Sequence, residues 1–276
     1  MLKRAPRGGT YLLSRIRCAY AHAAEQGRIP DDFVFPTLGI KGAPQVRRKR
    51  FLSDAELAMF FKWLPQSPYS RAVRDALMEI LLTACRPGEV VQGCWPDIDL
   101  ERGIWTIRET KNGEPHDVML SRQAVELFES RRGLDQMFVY PSPIAGRHIG
   151  EKALGLAQYC ARHEKNGAPR ADPITVPWTV YDLRRTAATG LAKLGCPRVV
   201  QDRILNHVDG SVSAIYDRHR YDEEAREWLQ RWADKLDSLR GNNVVMLHAK
   251  SVSRLGTLAG AADSGQHYLR AGDADR

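Results

Sequence analysis

The stretch from Phe35 to Arg50 decides how this chain can be divided. It carries Pro36, Gly39, Gly42 and Pro44, then the basic run Arg47-Arg48-Lys49-Arg50. Proline has no amide hydrogen with which to continue a helix or a central strand, glycine loses the most freedom on ordering, and four adjacent like charges repel one another. A regular element does not run through such a stretch. It reads as a linker whose basic part spans 46–52, with a short region, 1–45, before it and a larger domain, 53–240, behind it. The remainder, 241–276, is rich in Gly, Ala, Ser and Asp and reads as a tail in which only Val244-Val245-Met246-Leu247 has strand character.

Hydrophobic spacing supplies the elements. Tyr11 to Gln26 reads as a helix ended by Gly27 to Pro30. Ser53-Asp54-Ala55-Glu56 has capping-box spacing and opens a helix with Leu57, Phe60, Phe61 and Leu64 at i, i+3, i+4 and i+7. The next helix stacks Val73, Leu77, Ile80, Leu81 and Ala84 before Pro87-Gly88 interrupts it, which places Arg86 at a helix end. Ile104 to Arg108 and Val118 to Leu120 read as strands, and Asn112-Gly113 between them predicts a tight hairpin turn with Lys111 at its tip. Helices resume at Ser121 to Arg131, Ile149 to Arg162, Leu183 to Leu194, Val199 to Leu205 and Asp222 to Leu239, with Gly195 as a C-terminal cap. The fold class is mainly α with one small antiparallel β-sheet, α+β.

Composition narrows the partners. The 276 residues include 41 basic and 33 acidic side chains, a net charge of +8 that favours a polyanion without naming one. No apolar run reaches the roughly 18 to 20 residues of a bilayer span, and the first residues lack the apolar stretch of a signal peptide, so the expected place is the cytoplasm and no membrane partner is expected. Five cysteines with no C-x-x-C spacing suggest neither a disulfide framework nor a zinc site, and reduced, mostly buried thiols are expected.

The functional signal is an ordered set: Arg86 in Thr83-Ala84-Cys85-Arg86-Pro87-Gly88-Glu89, then Arg184 in Tyr181-Asp182-Leu183-Arg184-Arg185-Thr186, then His207 in Leu205-Asn206-His207, then Tyr216 before Asp217-Arg218. Arg184 and His207 are 23 positions apart, His207 and Tyr216 are 9 apart, and Arg86 lies about a hundred upstream of Arg184. In order and spacing this resembles the active site of the tyrosine recombinases, the phage and genomic-island integrases. The resemblance covers about residues 51 to 235, and residues 1–45 resemble only the last part of that family's core-binding helical domain.

The chemistry fits those residue types. A phosphodiester attacked by a hydroxyl gathers negative charge on its non-bridging oxygens, and guanidinium forks can hold those oxygens at any working pH. Arg86 and Arg184 are therefore candidate charge clamps in place of a metal, for which no ligand cluster stands out; no cofactor is expected. The resemblance implies that Tyr216 is the nucleophile, forming a 3′-phosphotyrosyl bond, and that Lys111 is the general acid for the leaving 5′-hydroxyl. It also implies that His207 assists at a phosphate oxygen and that Glu89 orients Arg86. Tyr221 is the competing nucleophile. At the position where the family has His or Lys, this chain has Tyr181, which can donate one hydrogen bond but is a poor proton shuttle near neutrality.

Arg47, Arg48, Lys49, Arg50 and Arg185 are candidate contacts to the phosphate backbone of double-stranded DNA, and the resemblance implies protomers assembled as a tetramer on it. The function implied is site-specific recombination, integrating or excising a prophage or genomic island. The alternatives are an inactive or DNA-binding-only remnant, with Ala188 to His207 passing for a helix-turn-helix, and a type IB topoisomerase-like enzyme.

Overall fold

The computed structural model describes residues 5–30, 32–44, 48–110, 112–163, 171–207 and 220–241. The segment Val244 to Leu247 lies outside them. The first helix, α1, spans Pro6–Glu25 and starts five residues before the apolar pattern does, because Pro6 at its first position has its φ preset and no amide hydrogen to leave unpaired. Only Gly9 and Leu13 of α1 are buried. Its polar side chains hold the residues that follow: Arg17 donates to the carbonyls of Thr37 and Ile40 at 3.0 and 2.6 Å, and the Thr10 hydroxyl accepts from the Ala43 amide at 2.8 Å.

Behind the linker, α2 (Asp54–Trp63) opens with the capping box that the sequence predicts, Ser53 and Glu56 each satisfying the other's amide. The centre of the core is α3 (Arg71–Thr83), buried without a break from Ala76 to Thr83. Around it pack α4 (Pro87–Val91), α5 (Arg122–Glu129), α6 (Glu151–Arg162), α7 (Val180–Lys193) and α9 (Asp222–Leu239), while α8 (Arg198–Ile204) joins α7 and α9. Gly190 of α7 allows the closest approach: a Cβ there would run into the Trp232 ring of α9, whose Nε1 donates to the Leu81 carbonyl of α3 at 2.7 Å.

The sheet has three antiparallel strands in the order β1 (Ile98–Asp99), β2 (Ile104–Ile107), β3 (His116–Met119), with Ile104 opposite Met119 and Ile107 opposite His116. Two expectations need correction. Residues 108–115 separate β2 from β3, so Asn112-Gly113 does not form a two-residue hairpin; it closes a smaller turn inside a longer loop, with the Gly113 amide on the Thr110 carbonyl at 3.1 Å and Gly113 at φ +84°. β1 escaped the pattern because two residues give no alternation to read. The cysteines are free, but only Cys85 and Cys196 are buried; Cys18 and Cys160 are exposed. Among the described residues no helix is long and apolar enough to cross a membrane.

Candidate active site

Arg86 stands between α3 and α4. It does not end α3, as its place after an apolar run suggests, but caps the start of α4. Ala84 makes this possible by closing α3 in the left-handed region at φ 56°, a conformation that costs a residue with a Cβ roughly 1–2 kcal/mol. Glu89, one turn into α4, accepts the Arg86 amide at 2.7 Å through one oxygen and its Nη1 at 2.7 Å through the other. Such a two-point grip fixes both the turn and the guanidinium.

The second element is α7. It begins at Val180, three residues before its apolar pattern, because Thr179 and Asp182 form a capping box at its N-terminus. Tyr181 and Arg184 lie three apart and so share a face. Arg184 is 9% exposed, and its Nη1 and Nη2 donate at 2.6 Å each to the carbonyls of Ala84 and Leu205. One guanidinium thus ties the turn that leads to Arg86 to the turn that leads to His207. Burial, with repulsion from nearby Arg86, pulls the Arg184 pKa down from its usual value, and the charges of Glu89 and its neighbours oppose that. The Tyr181 phenol is pushed up by burial first, then by a hydrogen bond to Glu151 and that carboxylate's charge. Glu151, which no sequence signal marked, opens α6 beside Gly88, where a Cβ would stand 3.0 Å from its carboxylate.

His207 follows α8. Its amide donates to the Asp202 carbonyl at 2.9 Å, and its Nδ1 lies 3.3 Å from Asp202 Oδ1 with about half of the side chain exposed. The residue before it, Asn206, is left-handed at φ 45°, and its carbonyl accepts from Asn112 Nδ2 at 2.8 Å, joining the β2–β3 loop to the histidine turn. Among the described residues the only non-glycine positions with positive φ are Ala84, Asn206 and Tyr221. Strain of this kind gathers where geometry is over-determined by its surroundings. Beside His207 lies a cavity of about 500 Å³ lined by His116, Asp117, Asp202, Arg203, Asn206 and Arg220.

Arg86, Glu89, Tyr181 and Arg184 therefore form one neighbourhood, and Arg184 ties it to the Leu205 carbonyl two residues before His207. Lys111, Tyr216 and Arg47 lie outside the described residues. Of the other basic candidates, Arg48, Arg50 and Arg185 are engaged within the chain. Arg48 pairs with fully buried Asp182 at 2.9 Å and donates to the Pro177 carbonyl at 3.0 Å, Arg50 grips Glu56 at 2.5 and 3.0 Å, and Arg185 meets Asp182 at 2.5 Å. Lys49 is exposed. Among the described residues no group of three or more His, Cys, Asp or Glu is placed to hold a metal ion.

Residues 50–224 match the sequence model of the phage integrase family. The chain belongs to that family. It is similar to prophage integrase IntA of Escherichia coli (strain K12), 26% identical over 253 residues that make up 89% of this chain and 58% of the relative. Prophage integrase IntZ of the same strain is 30% identical over 218 residues, 75% of this chain and 51% of that one. The chain thus spans a little over half the length of these relatives. In fold it resembles the lambda integrase (75–356) dimer crystallised on a COC′ core site, with a TM-score of 0.57 and 17% identity over 79% of this chain and 76% of that one.

Proposed function

We propose that this chain performs site-specific DNA recombination, cutting and rejoining one strand at a time by transesterification through a 3′-phosphotyrosyl intermediate. The observation that carries the reading is the pair of hydrogen bonds from Arg184 to the Ala84 and Leu205 carbonyls, which ties the turn before Arg86 to the turn before His207. In this reading the Tyr216 hydroxyl gives its proton to solvent and the resulting phenolate oxygen attacks the scissile phosphorus while Arg86 and Arg184 hold the non-bridging oxygens. The bond to the 5′-oxygen breaks and that oxygen takes a proton from Lys111. Rejoining reverses the step, and the phosphotyrosyl bond keeps the energy of the broken phosphodiester. His207 bonds a non-bridging oxygen, Glu89 holds Arg86, and Tyr181 contributes contact without proton shuttling, since its pKa is raised further from neutrality.

Supporting this reading, the neighbours of similar fold include a lambda integrase tetramer on a Holliday junction, with a TM-score of 0.56. By that likeness the partners are double-stranded DNA and further copies of this chain, in a cytoplasmic setting. Residues 1–45 act as part of a core-binding region, 46–52 as a linker, 53–240 as the catalytic domain and 241–276 as a tail exchanged between protomers. A DNA-binding-only reading gives the convergence of Arg86, Arg184 and His207 no purpose.

Trapping on a nicked duplex that carries the core site tests the proposal. A covalent protein–DNA band that disappears in Tyr216→Phe while binding persists is expected. A band that survives Tyr216→Phe and disappears in Tyr221→Phe reassigns the nucleophile, and no band from the wild-type chain removes the catalytic reading.

A further inference from the structure

Arg203, in the last turn of α8, carries no sequence signal, yet its guanidinium reaches two other elements. On β3, its Nη1 lies 2.7 Å from His116 Nδ1 and its Nη2 donates to the Asp117 carbonyl at 2.9 Å. At the start of α9, Nε and Nη2 meet Asp222 Oδ1 at 3.0 and 2.5 Å, and Nε also reaches the Arg220 carbonyl at 3.0 Å. Arg220 extends the set, donating to Asp117 Oδ2 at 2.6 Å and pairing with Asp222 Oδ2 at 3.1 Å. His116 is 5% exposed; burial first, then the Arg203 charge, push its pKa down to about 4. It is therefore neutral near pH 7 and accepts through Nδ1, with its ring also bonded to the Ile204 backbone.

The placement of this cluster gives it a further consequence. The chain leaves α8 through His207 and comes back at Arg220, and residues 208–219 lie between. The exit is tied by the His207 amide to the Asp202 carbonyl, and the return is tied by Arg203 to Arg220 and Asp222. Both ends of the segment are held on the same helical turn, Asp202-Arg203. Tyr221, left-handed at φ 54°, then bends the chain into α9. Tyr216 stands four residues before Arg220.

We propose that Arg203, with Asp222 as its partner, is a positioning residue for the Tyr216 segment, an inference that rests on Tyr216 being the nucleophile. Holding His207 and Arg220 on one helical turn fixes where the chain leaves and re-enters the described fold on either side of Tyr216, and a reacting oxygen displaced by about 1 Å from its attack position costs on the order of a hundredfold in rate. The bonds to β3 set where Arg203 and Arg220 are held relative to the strand that follows the Lys111 loop.

The test uses the full chain on the nicked core-site duplex, with single-turnover adduct formation measured at saturating protein and binding measured separately. Arg203→Met is expected to slow adduct formation about ten- to a hundredfold while the dissociation constant stays within about twofold, a split that loss of general folding does not produce. Asp222→Asn, the milder variant, serves if Arg203→Met does not fold, and is expected to act in the same direction. The double variant should be no slower than Arg203→Met alone, since both changes open the same clip. Unchanged rates in both variants, a loss of binding as large as the loss of rate, or fully additive effects overturn the inference. Tyr216→Phe on the same substrate keeps the two questions apart: an adduct that survives it defeats the nucleophile assignment, whereas an adduct that Tyr216→Phe abolishes and Arg203→Met leaves at full rate defeats the positioning role alone.

Discussion

Glu79 offers a sharp physical test of this fold. It lies in α3 with no exposed surface, and neither of its carboxyl oxygens has a hydrogen-bond partner among the described residues. Burial, reinforced by the charge of Asp75, holds its pKa well above the usual carboxylate range. The folded protein therefore keeps this proton at pH values where the unfolded chain has released it. A folded state that binds one proton more than the unfolded state loses about 1.4 kcal/mol of stability per pH unit, so the Glu79 contribution is fully present below the unfolded carboxylate pKa and is lost as pH rises. The loss begins above the unfolded carboxylate pKa and continues for as long as the folded protein keeps the proton. Glu79→Met keeps the side-chain length, removes the titration and removes the two unpaired carboxyl oxygens. Urea unfolding of both proteins at a series of pH values above the unfolded carboxylate pKa should show the variant gaining stability on the wild type as pH rises, at up to about 1.4 kcal/mol per pH unit. Parallel curves would mean that Glu79 holds the same number of protons folded and unfolded, and the reasoning fails.

Arg86→Ala and Arg184→Ala should each slow adduct formation by a factor on the order of 10², since a clamp lost from a preorganised site costs roughly 3 kcal/mol, and added Mg²⁺ should not restore the rate. Only Arg184→Ala should also lower the melting temperature clearly, because it strips the Ala84 and Leu205 carbonyls of their donor; equal melting temperatures for the two variants would count against that bond pair. Asn206→Gly should fold as well as the wild type, whereas Asn206→Val should lose about 1–2 kcal/mol to its left-handed backbone; chemical denaturation ranks the three. Neutralising Arg50 should weaken α2 by opening its pair with Glu56, while neutralising Lys49 should reduce the salt dependence of DNA binding without changing stability; the reverse pattern would exchange their roles.

Much of the scaffold was legible because its signals are local. The Ser53/Glu56 capping box, the Gly195 cap and the amphipathic stripe of α9 each rest on residues a few positions apart, and all three appear where the spacing puts them. The boundaries that moved did so for reasons of equal locality: Pro6 starts α1 early, and the Thr179/Asp182 pair starts α7 before its first apolar contact. The order of Arg86, Arg184, His207 and Tyr216 was also sufficient to place the chain in its family.

Sequence spacing by itself determined which residue types are available and in what order, because periodicity and motif chemistry act within one or two helical turns. Tertiary structure decided what each of them is bonded to. The basic run before Phe51 looked like a free polycation, yet Arg48 and Arg50 are held by Asp182 and Glu56. Arg184 looked like a phosphate clamp and is also the tie between two turns a hundred residues apart in one case and about twenty in the other. Glu151 beside Tyr181 and Arg203 across β3, α8 and α9 left no trace in the pattern. Carbonyl acceptors are carried by every residue and carboxylates by many, so a cation's partner is fixed only when folding brings one within about 3 Å in the right direction.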